Sequence, residues 1–196
     1  MAAARARWHT DATAGVGGIA PERLVFLDEC GVLTTPTRLY GRGPRGRRAP
    51  ARVPLGGKKR LSVLGALGTD GMMAGLGLHG AVNAASFAAC LEEVLLPDLR
   101  RRKPDAVLVM DNLPAHKTAR VRAVLDGSGF LYRYLPAYSP DLSPIEPGWA
   151  KLKSLLRRVA ARSLDALHQA LGPALDSITP QDATGFFRHC GYTRPN

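Results

Sequence analysis

The run Ala106-Val107-Leu108-Val109-Met110, bounded by Pro104 and Asp111, limits the fold more than any other stretch. Five consecutive apolar residues between a breaker and an acid suit a strand covered on both faces. Such strands belong to sheets with helices on either side. Leu24 to Leu27 is a second short buried strand, ending at Asp28. Leu61–Leu67 and Met72–His79, separated by Thr69-Asp70-Gly71, read as a hairpin, and Phe130–Leu135 as a further strand.

Helical periodicity fills the intervals. Phe87, Leu91, Val94 and Leu95 share one face of a helix over Asn83–Leu99, with Asn83 as N-cap. A second helix starts at Pro114 and stops near Asp126, before Gly127-Ser128-Gly129. Others are expected over Pro144–Ala161, Ser163–Ile178 and Gln181–His189. The order predicts an α/β domain: a mixed central β-sheet flanked by α-helices. It occupies residues 21–196. Residues 1–20, Ala/Gly-rich and aperiodic, are expected as a poorly ordered lead-in.

Charge narrows the partner. The formal net charge is +11 over 196 residues. No acidic residue occurs from Cys30 through Thr69, a stretch holding Arg38, Arg42, Arg45, Arg47, Arg48, Arg52, Lys58, Lys59 and Arg60. Uncompensated cations repel one another unless an anion is bound, which points to nucleic acid. No apolar run reaches the roughly 18–20 residues of a membrane span, so no membrane partner is expected. The N-terminus has no apolar core of a secretory signal, and a cytoplasmic, nucleoid-associated location is expected. Cys30, Cys90 and Cys190 lack CxxC spacing and read as reduced thiols rather than a zinc site.

Three acids stand out. Asp28 follows LVFL and Asp111 follows AVLVM, so both are expected at carboxyl ends of strands, where open α/β sheets place ligands. Glu146 opens an amphipathic helix. Each has a plain alternative: Asp28 as a loop entry, Asp111 as a helix cap in competition with Asn112, and Glu146 in a capping box with Ser143. The helical wheel sets Ile145, Trp149, Leu152, Leu156 and Val159 on one stripe, with Glu146, Lys153 and Arg157 on another beside it. Glu29 points away from Asp28 by strand alternation and is set aside. Asn112 and His116 are site neighbours, His116 close enough to reach substrate or water. Three such carboxylates can hold a pair of divalent cations, which cut or join phosphodiesters by in-line displacement.

The segments LVFLDECG, AVLVMDNLPAHK and YLPAYSPDLSPIEPGWAKLK, with 34 residues between Asp111 and Glu146, resemble the catalytic domain of bacterial insertion-sequence transposases of the Tc/mariner superfamily. RLYGRGPRGRRAP resembles the basic loop after the first motif. The resemblance implies an RNase H-like fold, with Asp28, Asp111 and Glu146 as the catalytic, metal-binding triad. It implies two Mg²⁺ or Mn²⁺ ions, strand cleavage at element ends, and attack of the freed 3′-hydroxyl on target DNA. DNA contacts are expected from Arg38, Arg42, Arg45, Arg47, Arg48, Lys117, Lys153 and Arg157. A homodimer in the synaptic complex is expected. The family's N-terminal helix-turn-helix region is expected to be absent ahead of Leu24, and a separate helix-turn-helix polypeptide is then expected as a partner. Two other readings stand beside this one: an inactive DNA-binding remnant that associates with an intact transposase, and a host nuclease of the same fold.

Overall fold

The computed structural model describes residues 2–35, 37, 40–50 and 59–193. Five strands form one sheet in the order β3-β2-β1-β4-β5. They are β1 (Leu24–Leu33), β2 (Arg60–Gly68), β3 (Gly71–His79), β4 (Val107–Met110) and β5 (Leu131–Tyr134). The three long strands form an antiparallel meander. β4 and β5 run parallel to β1 and to each other. The mixed sheet expected from the sequence is therefore present.

Strand alternation sends two sets of side chains to two separate cores. From β1 and β4, Leu24, Phe26, Cys30, Val32, Val107 and Val109 face one side. Val25, Leu27, Leu108 and Met110 face the other. The first face is covered by α5 (Ile145–Val159), α6 (Leu164–Asp176) and α7 (Pro180–His189). The second is covered by α2 (Ala84–Cys90), α3 (Leu96–Arg102) and α4 (Ala119–Ser128).

Several boundaries differ from the expected ones for physical reasons. β1 runs on to Leu33 because β2 pairs with it through Leu33↔Arg60. Asp28 is thus in mid-strand rather than at a strand end. Asn83 caps α2 in a reciprocal box with Ser86, as its position suggested. A π turn over Leu91–Leu95 then joins α2 to α3. Leu91, Leu95, Leu96 and Leu99 fill the core, and Val94 is left 37% exposed. Pro114–Lys117 is a separate 3-10 turn, and α4 starts afresh at Ala119 under a Thr118 cap. It ends at Gly129, whose φ of 78° favours glycine.

The lead-in is also built differently. Residues 2–20 carry a short helix, α1 (Ala2–Arg7), and bury Trp8 and Val16 in the core on the α5 side. The Trp8 indole donates to the Tyr192 hydroxyl at 2.7 Å. One large aromatic with a buried partner orders a segment that has no hydrophobic period of its own. Among the described residues no helix is long and apolar enough to cross a membrane.

Candidate active site

The parallel ladder of β1 and β4 ends at Leu27↔Met110. Asp28 is the next residue on β1, and Asp111 the first beyond the end of β4. Neighbouring strands lie roughly 5 Å apart, so the two carboxylates leave the sheet side by side. Both have the parity of Phe26 and Val109, which puts them on the α5 face. α5 begins on that face and brings Glu146 at its first turn.

The three carboxylates line one open pocket of about 430 Å³ together with Asn112, Tyr138 and Ser143. Glu146 is exposed, whereas Asp28 and Asp111 are half-buried. Ser143 is extended and Pro144 takes the first helical dihedrals, φ −61° and ψ −20°. No side chain caps this end of α5, so the capping box with Ser143 that stood as the alternative for Glu146 is not formed.

Trp149 reaches the pocket through Asp28, one of its lining residues. Its Nε1 donates to Oδ2 of Asp28 at 2.8 Å. The indole crosses β2 at Gly65, the residue paired with Asp28. A Cβ built on Gly65 would stand 2.5 Å from the Trp149 ring, so only glycine admits it. Sequence reasoning assigned Trp149 to the core stripe alone. Its spacing of three from Glu146 was the signal that it shares the site. Ile145, Trp149, Leu152 and Leu156 are buried as expected, but Val159 is 57% exposed because α5 outruns the core.

Burial pushes the Asp28 carboxyl up to about 7. Hydrogen bonds from the Glu29 backbone and Trp149 oppose the rise, while the charges of Glu146 and Asp111 add to it. Such a group holds a proton more readily than an ordinary aspartate, and a cation must displace that proton to bind.

His116 differs from expectation. It is fully buried, so it touches neither substrate nor solvent. It stacks on Phe87 at 4.2 Å between ring centroids. Nδ1 lies 2.5 Å from Oδ1 of Asp111, a close ion contact rather than an aligned hydrogen bond. Nε2 lies 3.5 Å from Oε2 of Glu29. Burial alone would lower the pKa of this imidazolium; the Asp111 and Glu29 carboxylates outweigh it and hold the ring up at about 9. Glu29, set aside from the sequence, is thus tied to Asp111 through the imidazole on the opposite face of the sheet.

The donor set fits hard divalent cations, which take carboxylate oxygens. Trp149 engages Oδ2 of Asp28, and both contacts of Asp111, with His116 and with the Leu113 N–H, fall on Oδ1. One oxygen of each aspartate lies outside these contacts. Among the described residues no three His, Cys, Asp or Glu side chains are gathered tightly enough to hold one ion. The three acids share a pocket rather than a compact cluster.

The expected DNA-contact residues fall into three groups. Arg42, Arg45, Arg47 and Arg48 are exposed in the connection between β1 and β2, around a turn at Pro44–Arg47. Lys153 and Arg157 are half-buried on α5, one and two turns beyond Trp149. Lys117 is bonded to Oδ1 of Asn112, with its ammonium 5.0 Å from the Tyr134 ring centre. Arg38, together with Arg52 and Lys58, lies outside the described residues.

A family model described as "DDE superfamily endonuclease" matches residues 23–168. No curated protein matches. Among solved structures, a Mos1 transposase paired-end complex with the left transposon end is 24% identical, with a TM-score of 0.71. That match covers 87% of this chain and 52% of the other. A Mos1 mariner paired-end complex with Mn is 22% identical, with a TM-score of 0.68, covering 86% and 52%. The Mos1 transposase catalytic domain with Raltegravir and Mg is 19% identical, with a TM-score of 0.64, covering 88% and 80%. The chain spans about half the length of the first two. These likenesses establish the RNase H-like fold.

Proposed function

Because the chain belongs to the DDE superfamily endonucleases, we propose that it is a transposase catalytic domain that cleaves DNA strands at element ends and joins them to target DNA. One observation carries the reading: Asp28, Asp111 and Glu146, from two parallel strands and a helix start, line a single pocket.

In this reading the three carboxylates hold two Mg²⁺ or Mn²⁺ ions, and solved structures of Mos1 with Mg and with Mn support that choice. The bound ions would polarise the scissile phosphate and lower the pKa of the attacking water or 3′-hydroxyl. The chain's own residues do the rest. Trp149 fixes the Asp28 carboxylate, and His116 fixes Asp111. The start of α5 presents the Glu146 side chain to the pocket. Lys153 and Arg157 continue the basic surface away from Glu146 along α5. The Arg42–Arg48 segment supplies cations that clamp the DNA backbone without reading sequence.

DNA is the partner on this reading, and joining two element ends would call for two copies of the chain. End recognition would fall to a helix-turn-helix region, in this polypeptide or another. The alternative is a DNA-binding, non-cleaving relative that associates with an active transposase; the lack of a compact cluster of three such side chains among the described residues favours it.

A nicking assay on supercoiled DNA with Mg²⁺, Mn²⁺ or chelator, comparing the chain with Glu146→Gln and Asp111→Asn, separates the two. Metal-dependent nicking lost in both variants is expected. Salt-sensitive binding without nicking under either metal would favour the non-cleaving reading. Nicking that survives Asp111→Asn would sink the triad assignment.

A further inference from the structure

Tyr138 is 88% exposed and lines the same pocket as the three carboxylates. Its φ is 55°, the left-handed region that bulky residues rarely enter. Such a conformation persists only where the surroundings impose it. Here they do so through one guanidinium. Arg5 Nη1 donates to the Tyr138 carbonyl at 3.0 Å, to Ser139 Oγ at 2.8 Å and to Asp141 Oδ1 at 3.0 Å. Its Nη2 donates to Asp141 Oδ2 at 2.8 Å. Arg5 itself is anchored because Trp8, one turn on, is buried against Tyr192. Four hydrogen bonds from a residue more than 130 positions away thus hold one short turn in shape. A nearly fully exposed tyrosine gains little from burial, so the fold alone does not account for so firm a clamp.

We propose that Tyr138 is a substrate-contacting residue that stacks an unpaired nucleobase at the lip of the pocket, and that Arg5 is the positioning residue that sets the ring in place. The ligand class is a single-stranded or locally opened DNA segment. A phenol ring offers a face to any base and reads no sequence. A base stacked on Tyr138 would sit beside the carboxylates and keep the strand's phosphate near them. This rests on the DNA-processing reading above.

The test is equilibrium binding of the full chain, without metal and at fixed salt, to two single-stranded probes of equal length and equal charge. One is oligothymidylate; the other is the same chain without bases. Phosphate contacts contribute equally to both, so their affinity ratio reports stacking. The ratio is expected to favour oligothymidylate, to fall on the order of tenfold in Tyr138→Ala, and to be kept in Tyr138→Phe. Arg5→Ala is expected to lower it too, with melting followed to verify that the variant is folded. A merely structural role for Arg5 would leave the ratio unchanged. A ratio untouched by Tyr138→Ala overturns the stacking role while leaving the DNA-processing reading intact. A ratio lowered by Tyr138→Ala but not by Arg5→Ala overturns the positioning role of Arg5. No binding of any DNA, single- or double-stranded, overturns this inference and the functional reading together.

Discussion

The indole of Trp149 and the carboxylate of Asp28 are joined by one hydrogen bond of 2.8 Å, and that bond ties α5 to β1 beside the pocket. It also fixes the sheet position of the first turn of α5, where Glu146 stands. Trp149→Phe keeps most of the ring volume and removes the donor. Asp28 is then left half-buried with one partner fewer, a loss of about 1–3 kcal/mol. Metal-dependent nicking is expected to fall at least tenfold while circular dichroism is unchanged. Full activity in Trp149→Phe would show that the bond does not organise the site.

Gly65 carries the other side of the same contact. Adding a methyl there drives a Cβ into the Trp149 ring at 2.5 Å, and the backbone of β2 cannot yield in mid-sheet. Gly65→Ala is expected to cost about 1–3 kcal/mol in urea unfolding. It should displace the indole from Asp28 as well, so activity and stability fall together. Gly127→Ala, in α4 where a Cβ meets nothing within 4 Å, serves as the control: activity is unchanged, and stability does not fall but rises by up to about 1 kcal/mol, alanine being the better helix former.

Much of this site was legible in the sequence because its two aspartates obey simple rules. Each follows an apolar run, and strand parity sends both to the same face. Glu146 was legible because a proline-led, amphipathic helix announces its own start. Three features were not legible. Nothing local to LDECGVL shows that β1 continues past Asp28, since β2 supplies the pairing from 27 to 35 residues away. The burial of His116 depends on Phe87 and Glu29, which only the folded sheet brings to it. The order in residues 2–20 rests on Trp8 meeting Tyr192, 184 positions on. Period and propensity register neighbours along the chain, and these contacts have none.

Trp8 therefore carries a stability prediction of its own. Replacing a Trp that is 2% exposed with Ala removes its packing and its bond to Tyr192. The expected loss is about 3–5 kcal/mol. In a chain of this size that lowers the melting temperature by on the order of 10 °C. Calorimetry on Trp8→Ala checks it. A shift of only a degree or two would mean that the N-terminal segment is not part of the cooperative unit.

The N-terminus of α7 gives a pH dependence whose sign can be worked out. Asp182 closes a reciprocal capping box with Thr179 and accepts from Lys151. The Lys151 ammonium, with the Thr179 hydroxyl and N–H, draws its carboxyl down to about 2. A carboxyl lowered on folding adds stability that is complete above its unfolded value near 4. That contribution is lost as pH falls through about 2. The group is near the surface, so water screens the pair and the net effect is held to at most ~1 kcal/mol. Asp182→Asn should be less stable than the unmodified chain at neutral pH, and the gap should close between about pH 4 and pH 2 as the native carboxyl takes up its proton. A gap that stays constant over that range would mean that Asp182 works through its shape as a cap rather than through its charge.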